Sequence, residues 1–91
     1  MEFTITQGVL VNGVYQESSR LTIQVNNVDP KISEVIRAIL VQVPLPSYLL
    51  RKKDYLYLVD AETNRRLDPG KKASDCDLKD GSILRLMCAI R

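Results

Sequence analysis

The chain lacks several residues on which enzymes and metalloproteins rely. It has no histidine and no tryptophan, and only two of its 91 residues are cysteine. Without histidine, no serine, cysteine or lysine has the usual general base beside it. Cys76 and Cys88 lie on separate predicted elements, which excludes a four-cysteine iron–sulfur cluster and disfavours a zinc site. We therefore expect no enzymatic activity, no cofactor and no metal.

Long hydrophobic runs and a strong charge bias are also missing. No apolar stretch approaches the roughly 20 residues of a membrane-spanning helix, and the first residues, MEFTITQG, lack the pattern of a secretory signal. The 13 basic and 11 acidic residues are mixed and leave a net charge of +2, which argues against nucleic acid as a partner. We expect a cytoplasmic protein with free thiols, with peripheral attachment to the inner face of the membrane through a partner as an option.

The aspartates near residue 76 have no metal-binding pattern. Asp75, Asp77 and Asp80 follow the spacing D-x-D-x-x-D, but the terminal glutamate of a calcium loop is absent. Cys76 lies between two of these aspartates, whose charges raise the pKa of a thiol. We predict solvated turn residues and a cysteine that is not a nucleophile.

The first 25 residues have the pattern of a β-hairpin. Residues 2–10 and 20–25 alternate apolar with polar side chains, and Asn12-Gly13 between them is typical of a type I′ turn. The predicted core-facing residues are Phe3, Ile5, Leu21, Ile23 and Val25. A two-residue turn alone would place Phe3 opposite a polar residue. We therefore predict a bulge at Gly8 or Ser18-Ser19, unless a three-residue loop replaces the tight turn.

A helix is predicted over residues 30–43. Asp29 is the predicted cap, Pro30 suits the first helical position, and Pro44 ends the helix. Its apolar face consists of Ile32, Val35, Ile36, Ile39, Leu40 and Val43. This spacing is typical of a helix that packs on a protein core.

Two strands and one very short strand follow the helix. Residues 55–60 are a predicted strand, residues 66–67 a very short one, and residues 82–90 the last. This element order predicts an α+β fold of the β-grasp class, with a mixed sheet of four to five strands packed on one α-helix. We expect residues 1–91 to form a single domain.

Most of the chain from Leu21 to Met87 resembles ubiquitin and its relatives. The matching positions are Leu67, Gly70, Ser74-Asp75, Ser82, Leu84 and Leu86, and in the helix Ile32, Val35 and Ile39. At these positions we expect Gly70 to adopt a positive φ, Ser74 and Asp75 to cap a short helical turn, and Asp80-Gly81 to form a tight turn. Among ubiquitin-like proteins, the segments VPLP and LDPGKKASDCDLKDGSILRL resemble the bacterial YukD-like group, which accompanies the WXG100 or type VII secretion system.

This resemblance implies a protein-binding module of a bacterial secretion machine, with a secretion-system membrane component as one candidate partner. In ubiquitin the exposed sheet face carries an apolar patch, and the matching positions are Tyr57, Arg85 and Met87. Leu10, Val11 or Val14 are further candidates from the hairpin. We expect a monomer or a weak homo-oligomer.

The alternative is a ubiquitin-like modifier or carrier with a degenerate C-terminus. Such proteins present a slim tail ending in two glycines to an activating enzyme, whereas this sequence ends in LMCAIR. Conjugation is therefore the less favoured expectation.

Overall fold

The computed structural model of the chain describes residues 1–89, which form a four-stranded mixed sheet with helices. The elements are β1 (Glu2–Val11), β2 (Val14–Gln24), α1 (Ile32–Gln42), α2 (Ser47–Leu50), β3 (Leu56–Asp60) and β4 (Ser82–Cys88). The strand order is β2-β1-β4-β3, with β1 parallel to β4 and the other neighbours antiparallel. The fold is therefore α+β, with α1 packed on the sheet, and is compatible with the predicted β-grasp.

The hairpin has the predicted turn and the predicted bulge. Asn12 and Gly13 have φ values of 53° and 79°, and a type I′ turn needs positive φ at both central residues. Gln7 lies opposite Ser19, whereas the next residue of β1 lies opposite Glu17, so Ser18 is the extra residue. The Ser18 hydroxyl donates to the carbonyl of Gln7 at 3.1 Å. One inserted residue thus reconciles the tight turn with the apolar pattern.

The core lies between α1 and one face of the sheet. Its fully buried members include Phe3, Ile5, Ile23, Ile32, Val35, Ile39, Leu58 and Leu84. The prediction that Leu21 belongs to this core is wrong, because its side chain is 41% exposed. Leu21 has the correct parity, opposite buried Ile5, but it lies on the edge strand β2.

The first amides of α1 find their acceptors in a distant loop. The helix begins at Ile32, two residues later than predicted. The Ile32 amide donates to the carbonyl of Lys71 at 2.9 Å, and the Ser33 amide donates to the carbonyl of Pro69 at 3.1 Å. The first N–H groups of a helix have no acceptor within the helix. Backbone carbonyls of this loop therefore accept the hydrogen bonds that a side-chain cap was expected to accept.

Asp29 is consequently not the cap, which corrects the prediction. Its carboxylate accepts hydrogen bonds from the Ser74 amide at 2.9 Å and the Ser74 hydroxyl at 2.7 Å. The carbonyl of Pro30 accepts from the Ala73 amide at 2.8 Å. Asp29 therefore joins the segment before the helix to residues 73–74.

The turns before β4 follow the predictions only in part. Gly81 has a φ of 83°, as expected for Asp80-Gly81, whereas positive φ at Gly70 is not observed. The Gly70 amide instead donates to the Asp68 carboxylate at 2.9 Å, so an aspartate side chain organises this turn. Asp77, which is not a glycine, also has a positive φ in this region, of 57°.

The prediction that Ser74 and Asp75 cap the short helical turn Ser74–Cys76 is wrong, because its N-cap is Ala73 and no side chain caps it by a hydrogen bond. The Asp75 carboxylate accepts from the Lys72 amide at 3.3 Å. Ser74 does not cap the turn, because its hydroxyl donates to Asp29.

Several strand boundaries differ from the sequence prediction. β1 ends at Val11 rather than residue 10, and β2 spans Val14–Gln24 rather than residues 20–25. β3 begins at Leu56, because Tyr55 closes a turn of 3-10 helix over Lys53–Tyr55. The predicted strand at residues 66–67 is a single bridge between Val59 and Arg66. The last strand was predicted to reach Ile90, which lies outside the described residues. Within residues 1–89, neither α-helix combines the length and the apolar character needed to cross a membrane.

Candidate functional site

The three residues predicted from strand parity lie together on the sheet face that points away from α1. Tyr57 on β3 lies directly opposite Met87 on β4, and the next outward pair is Val59 opposite Arg85. All four side chains are half-buried, whereas the alternating residues Leu56, Leu58, Leu84 and Leu86 are buried. We call Tyr57, Arg85 and Met87, together with Tyr15 and Arg66, which contact them, the outward face.

Arg85 is held in place by contacts on two sides. Its guanidinium carbon lies 4.5 Å from the centre of the Tyr15 ring on β2. Its Nη1 donates to the Asn64 side-chain oxygen at 3.2 Å. Cation–π contacts at such sites contribute about 0.5–1 kcal/mol each. The charged group is therefore oriented before any partner arrives.

Tyr15 is anchored by a buried threonine. The hydroxyl groups of Tyr15 and Thr6 are hydrogen-bonded at 3.0 Å, and the Thr6 side chain is 2% exposed. Thr6 lies opposite Arg85 in the parallel β1–β4 pairing. Tyr15, Thr6 and Arg85 thus form a connected row across three strands.

Gly8 gives the Tyr15 ring its space. A β-carbon at this position would lie 2.2 Å from the carbonyl oxygen of Gln16 and 2.8 Å from the Tyr15 ring. Real β-carbons essentially never approach so closely. The glycine at the bulge therefore serves the outward face as well as the hairpin register.

A second arginine lies over the tyrosine that was predicted for this face. The guanidinium carbon of Arg66 lies 4.0 Å from the centre of the Tyr57 ring. The bridge between Val59 and Arg66 brings the arginine beside β3. Two arginine–tyrosine pairs therefore lie on the same side of the sheet.

Sequence reasoning missed Tyr15 and Arg66 as members of this face. The signal for Tyr15 was present, because a bulge at Ser18 places Tyr15 opposite Leu10 and on the outward side. Of the hairpin candidates, Leu10 shares this parity, whereas Val11 and Val14 pair with each other on the opposite side of the ribbon. Arg66 had no comparable signal, because its position depends on how the loop folds back onto β3.

Among the residues that the structure describes, the two arginines of the outward face form no ion pair. Within residues 1–89, the one ion pair joins Arg20 to Glu17, with Nη2 and Oε1 2.9 Å apart. The hydrogen bond from Arg20 lowers the pKa of Glu17, and the charge of Arg85 contributes to the same shift. Arg66 and Arg85 thus have no carboxylate within 4 Å in the described part of the chain.

The two cysteines are both free thiols. The pKa of Cys76 is raised, as predicted, but the main cause is burial, with smaller contributions from Asp75 and Asp77. A raised pKa lowers the thiolate fraction at neutral pH. No group of three or more His, Cys, Asp or Glu side chains within residues 1–89 is placed to hold a metal ion.

Comparison with known proteins gives no family assignment, because neither a family model nor a curated protein sequence matches the chain.

Proposed function

We propose that the chain is a non-enzymatic, ubiquitin-like β-grasp module that binds protein partners through the outward face. The observation that carries this proposal is the orientation of Arg85, which is held between the Tyr15 ring and the Asn64 side chain. A half-exposed arginine fixed by two neighbours contributes little to folding. It is suited to binding, because little conformational entropy is lost when a partner contacts it.

The composition of the face supports the same proposal. Tyrosine, arginine and methionine are enriched in protein interfaces, and tyrosine and arginine are frequent among the residues that dominate binding energy. Tyr57 and Met87 supply apolar area beside the guanidinium of Arg85. The neighbouring residue Ile83 extends this area, since its side chain is exposed. The face therefore combines apolar contact with directional hydrogen bonding.

The charge of the face indicates what the partner offers in return. Arg66 and Arg85 have no carboxylate partner among the described residues. An arginine fork binds a carboxylate in two parallel hydrogen bonds. We therefore expect a partner surface with an aspartate or glutamate beside an apolar group.

A role in a bacterial type VII, or WXG100, secretion system is the finer part of the proposal. It rests on the resemblance of VPLP and LDPGKKASDCDLKDGSILRL to the YukD-like group. The candidate partners are the membrane components and the FtsK-like ATPase of such a system. Co-expression with these components provides the direct test.

The experiment compares Met87→Asp and Tyr57→Ala with the matched variant Val41→Asp. Val41 is exposed on α1, away from the outward face, so Val41→Asp adds the same charge at an unrelated site. Met87→Asp and Tyr57→Ala should abolish co-purification with the secretion component, while Val41→Asp should leave it unchanged. Circular dichroism and melting should be nearly the same for all variants. Recovery of the partner at wild-type yield by both face variants would reject the outward face.

Two other functions give different results. A modifier or carrier would form a thioester or isopeptide adduct with a cognate activating enzyme and ATP. Self-association through the outward face would make the sedimentation coefficient rise with concentration, and Met87→Asp would remove that rise. Neither behaviour is expected of a module that binds another protein non-covalently.

A further inference from the structure

The hairpin projects beyond the sheet at one end of the molecule. β1 pairs with β4 only from Phe3 to Gln7, so residues 8–11 pair with β2 alone. The side chains of Val9, Leu10, Val11 and Val14 on this two-stranded projection are exposed. An isolated two-stranded ribbon is marginally stable in water, and these aliphatic groups receive little burial from the rest of the fold.

A second apolar segment lies at the same end. β1 and β4 are parallel and β3 is antiparallel to β4, so the hairpin turn and the start of β3 lie at one end of the sheet. Val9 and Leu10 share a groove with Pro46, Tyr48 and Leu49. Residues 47–55 expose Tyr48, Leu50 and Tyr55. We call residues 9–14 and 47–55 together the hairpin end.

The hairpin end concentrates exposed apolar side chains. Among residues 1–89, eleven large hydrophobic side chains are exposed, and seven of them belong to the hairpin end. Single exposed apolar residues are ordinary, but a cluster of this kind marks an interaction site. Met87 of the outward face lines the same groove as Val9 and Leu10, whereas Arg85 lies farther from this end along β4.

The charge of the hairpin end identifies the kind of surface it fits. Arg51, Lys52 and Lys53 lie between the exposed side chains of Leu50 and Tyr55, with Asp54 as the single acidic residue. Within residues 1–89, the one ion pair is elsewhere, between Arg20 and Glu17. Aliphatic groups, tyrosines and several basic residues at one end of a molecule are the combination that binds the headgroup region of an anionic bilayer.

We propose that the hairpin end docks directly on an anionic lipid surface. The valine and leucine side chains of the hairpin enter the boundary between headgroups and acyl chains, and Tyr48 and Tyr55 lie at the headgroup level. The three basic side chains pair with lipid phosphates. This orientation places the end of the sheet on the membrane.

Vesicle flotation tests the proposal. The full chain is mixed with vesicles of phosphatidylcholine alone or of equal parts phosphatidylcholine and phosphatidylglycerol, at low and at physiological salt. We expect the protein to float with the anionic vesicles only, and more weakly as salt shortens the range of the attraction. Absence of flotation with anionic vesicles at low salt, or equal flotation with neutral ones, would overturn the proposal in favour of a protein ligand for this end.

Two pairs of variants, each with a matched control, test whether the hairpin end is the part of the protein that binds the vesicles. Replacing Arg51, Lys52 and Lys53 by glutamine should lower the partition coefficient on the order of 100-fold, about fivefold for each basic residue near the surface. The control replaces Lys71, Lys72 and Lys79, which are exposed elsewhere in the fold, and changes the net charge equally. A loss of equal size in the control would show nonspecific attraction and reject the hairpin end.

The second pair of variants tests the contribution of the apolar side chains to vesicle binding. Leu10→Thr with Val14→Thr should weaken flotation about tenfold, because methyl and methylene groups no longer enter the bilayer. Val28→Thr with Val41→Thr is the control, since both valines are highly exposed and lie outside the hairpin end. Each variant should melt with the wild type. Unchanged flotation of the hairpin variant would exclude insertion of the hairpin.

Discussion

The two halves of the hairpin both carry apolar side chains but have opposite burial. In the base, residues 2–7 of β1 carry Phe3 and Ile5, which are 0% and 1% exposed. In the tip, residues 8–11 of the same strand carry Val9, which is 60% exposed. The base is paired with β2 and β4 and lies under α1, whereas the tip is paired with β2 alone. An apolar pattern therefore predicts a strand but does not tell whether another layer covers it.

The largest effect is expected from truncating the same kind of side chain in each half. Ile5→Ala should lower the free energy of unfolding by about 2–5 kcal/mol, because a buried side chain leaves a cavity. Val9→Ala should change it by less than about 0.5 kcal/mol, because its side chain is exposed. Urea denaturation measures both. Equal costs for the two substitutions would contradict the assignment of the core to the base.

A smaller effect is expected at the junction of the two halves. Gly8→Ala should cost about 1–3 kcal/mol, because the new β-carbon collides with the Gln16 carbonyl and forces the backbone to move. The control is Gly70→Ala, where the nearest atom to the new β-carbon is Asp68 Oδ1 at 3.5 Å. The same denaturation experiment should find the control within about 0.5 kcal/mol of the wild type. If Gly8→Ala is equally harmless, the tip is not held by close packing at Gly8.

The hydroxyl pair that links tip to base should have a more modest effect. Tyr15→Phe leaves the buried Thr6 hydroxyl without its partner, at a cost of about 1 kcal/mol. Thr6→Val on the Tyr15→Phe background should then cost little more, and this double-mutant cycle measures the coupling. Additive losses would show that the two hydroxyls do not interact. Weaker partner binding by Tyr15→Phe would connect this pair to the orientation of Arg85.

The smallest effect concerns pH. It is expected outside the tip of the hairpin, because residues 8–14 have no titratable side chain. The hydrogen bond from the Ser74 hydroxyl, with that from its amide, lowers the pKa of Asp29. A lowered native pKa stabilises the fold above the ordinary aspartate value of about 3.9, and this stability is lost as pH falls through the native pKa.

Asp29→Asn should therefore flatten the acid side of the stability profile, measured by denaturation at successive pH values. Ser74→Ala, which removes the first of the hydrogen bonds, should flatten it in the same direction. Acid profiles identical to the wild type in both variants would show that this contact does not contribute.

Much of the fold was predictable because the signals are local. The Asn12-Gly13 turn, the apolar face of α1 and the alternation of β3 and β4 follow from backbone preferences and side-chain spacing. Counting residues through the hairpin required one extra residue, in a bulge or in a three-residue loop, and the structure has the bulge. The same alternation placed Tyr57, Arg85 and Met87 on one face, whereas their role in binding stays a prediction.

The tertiary structure decided whatever depends on residues far apart in the chain. Asp29 has the right residue type for a helix cap, yet the amides of α1 donate to the carbonyls of Lys71 and Pro69, and Asp29 binds Ser74. Leu21 has core parity but is exposed on the edge strand β2. Arg66 reaches Tyr57 only because its loop bridges to β3. The sequence by itself determined which elements form and which way their side chains alternate, since these depend on neighbouring residues. Coverage, capping partners and the arginine–tyrosine pairs depend on the packing of distant segments, which local preferences do not encode.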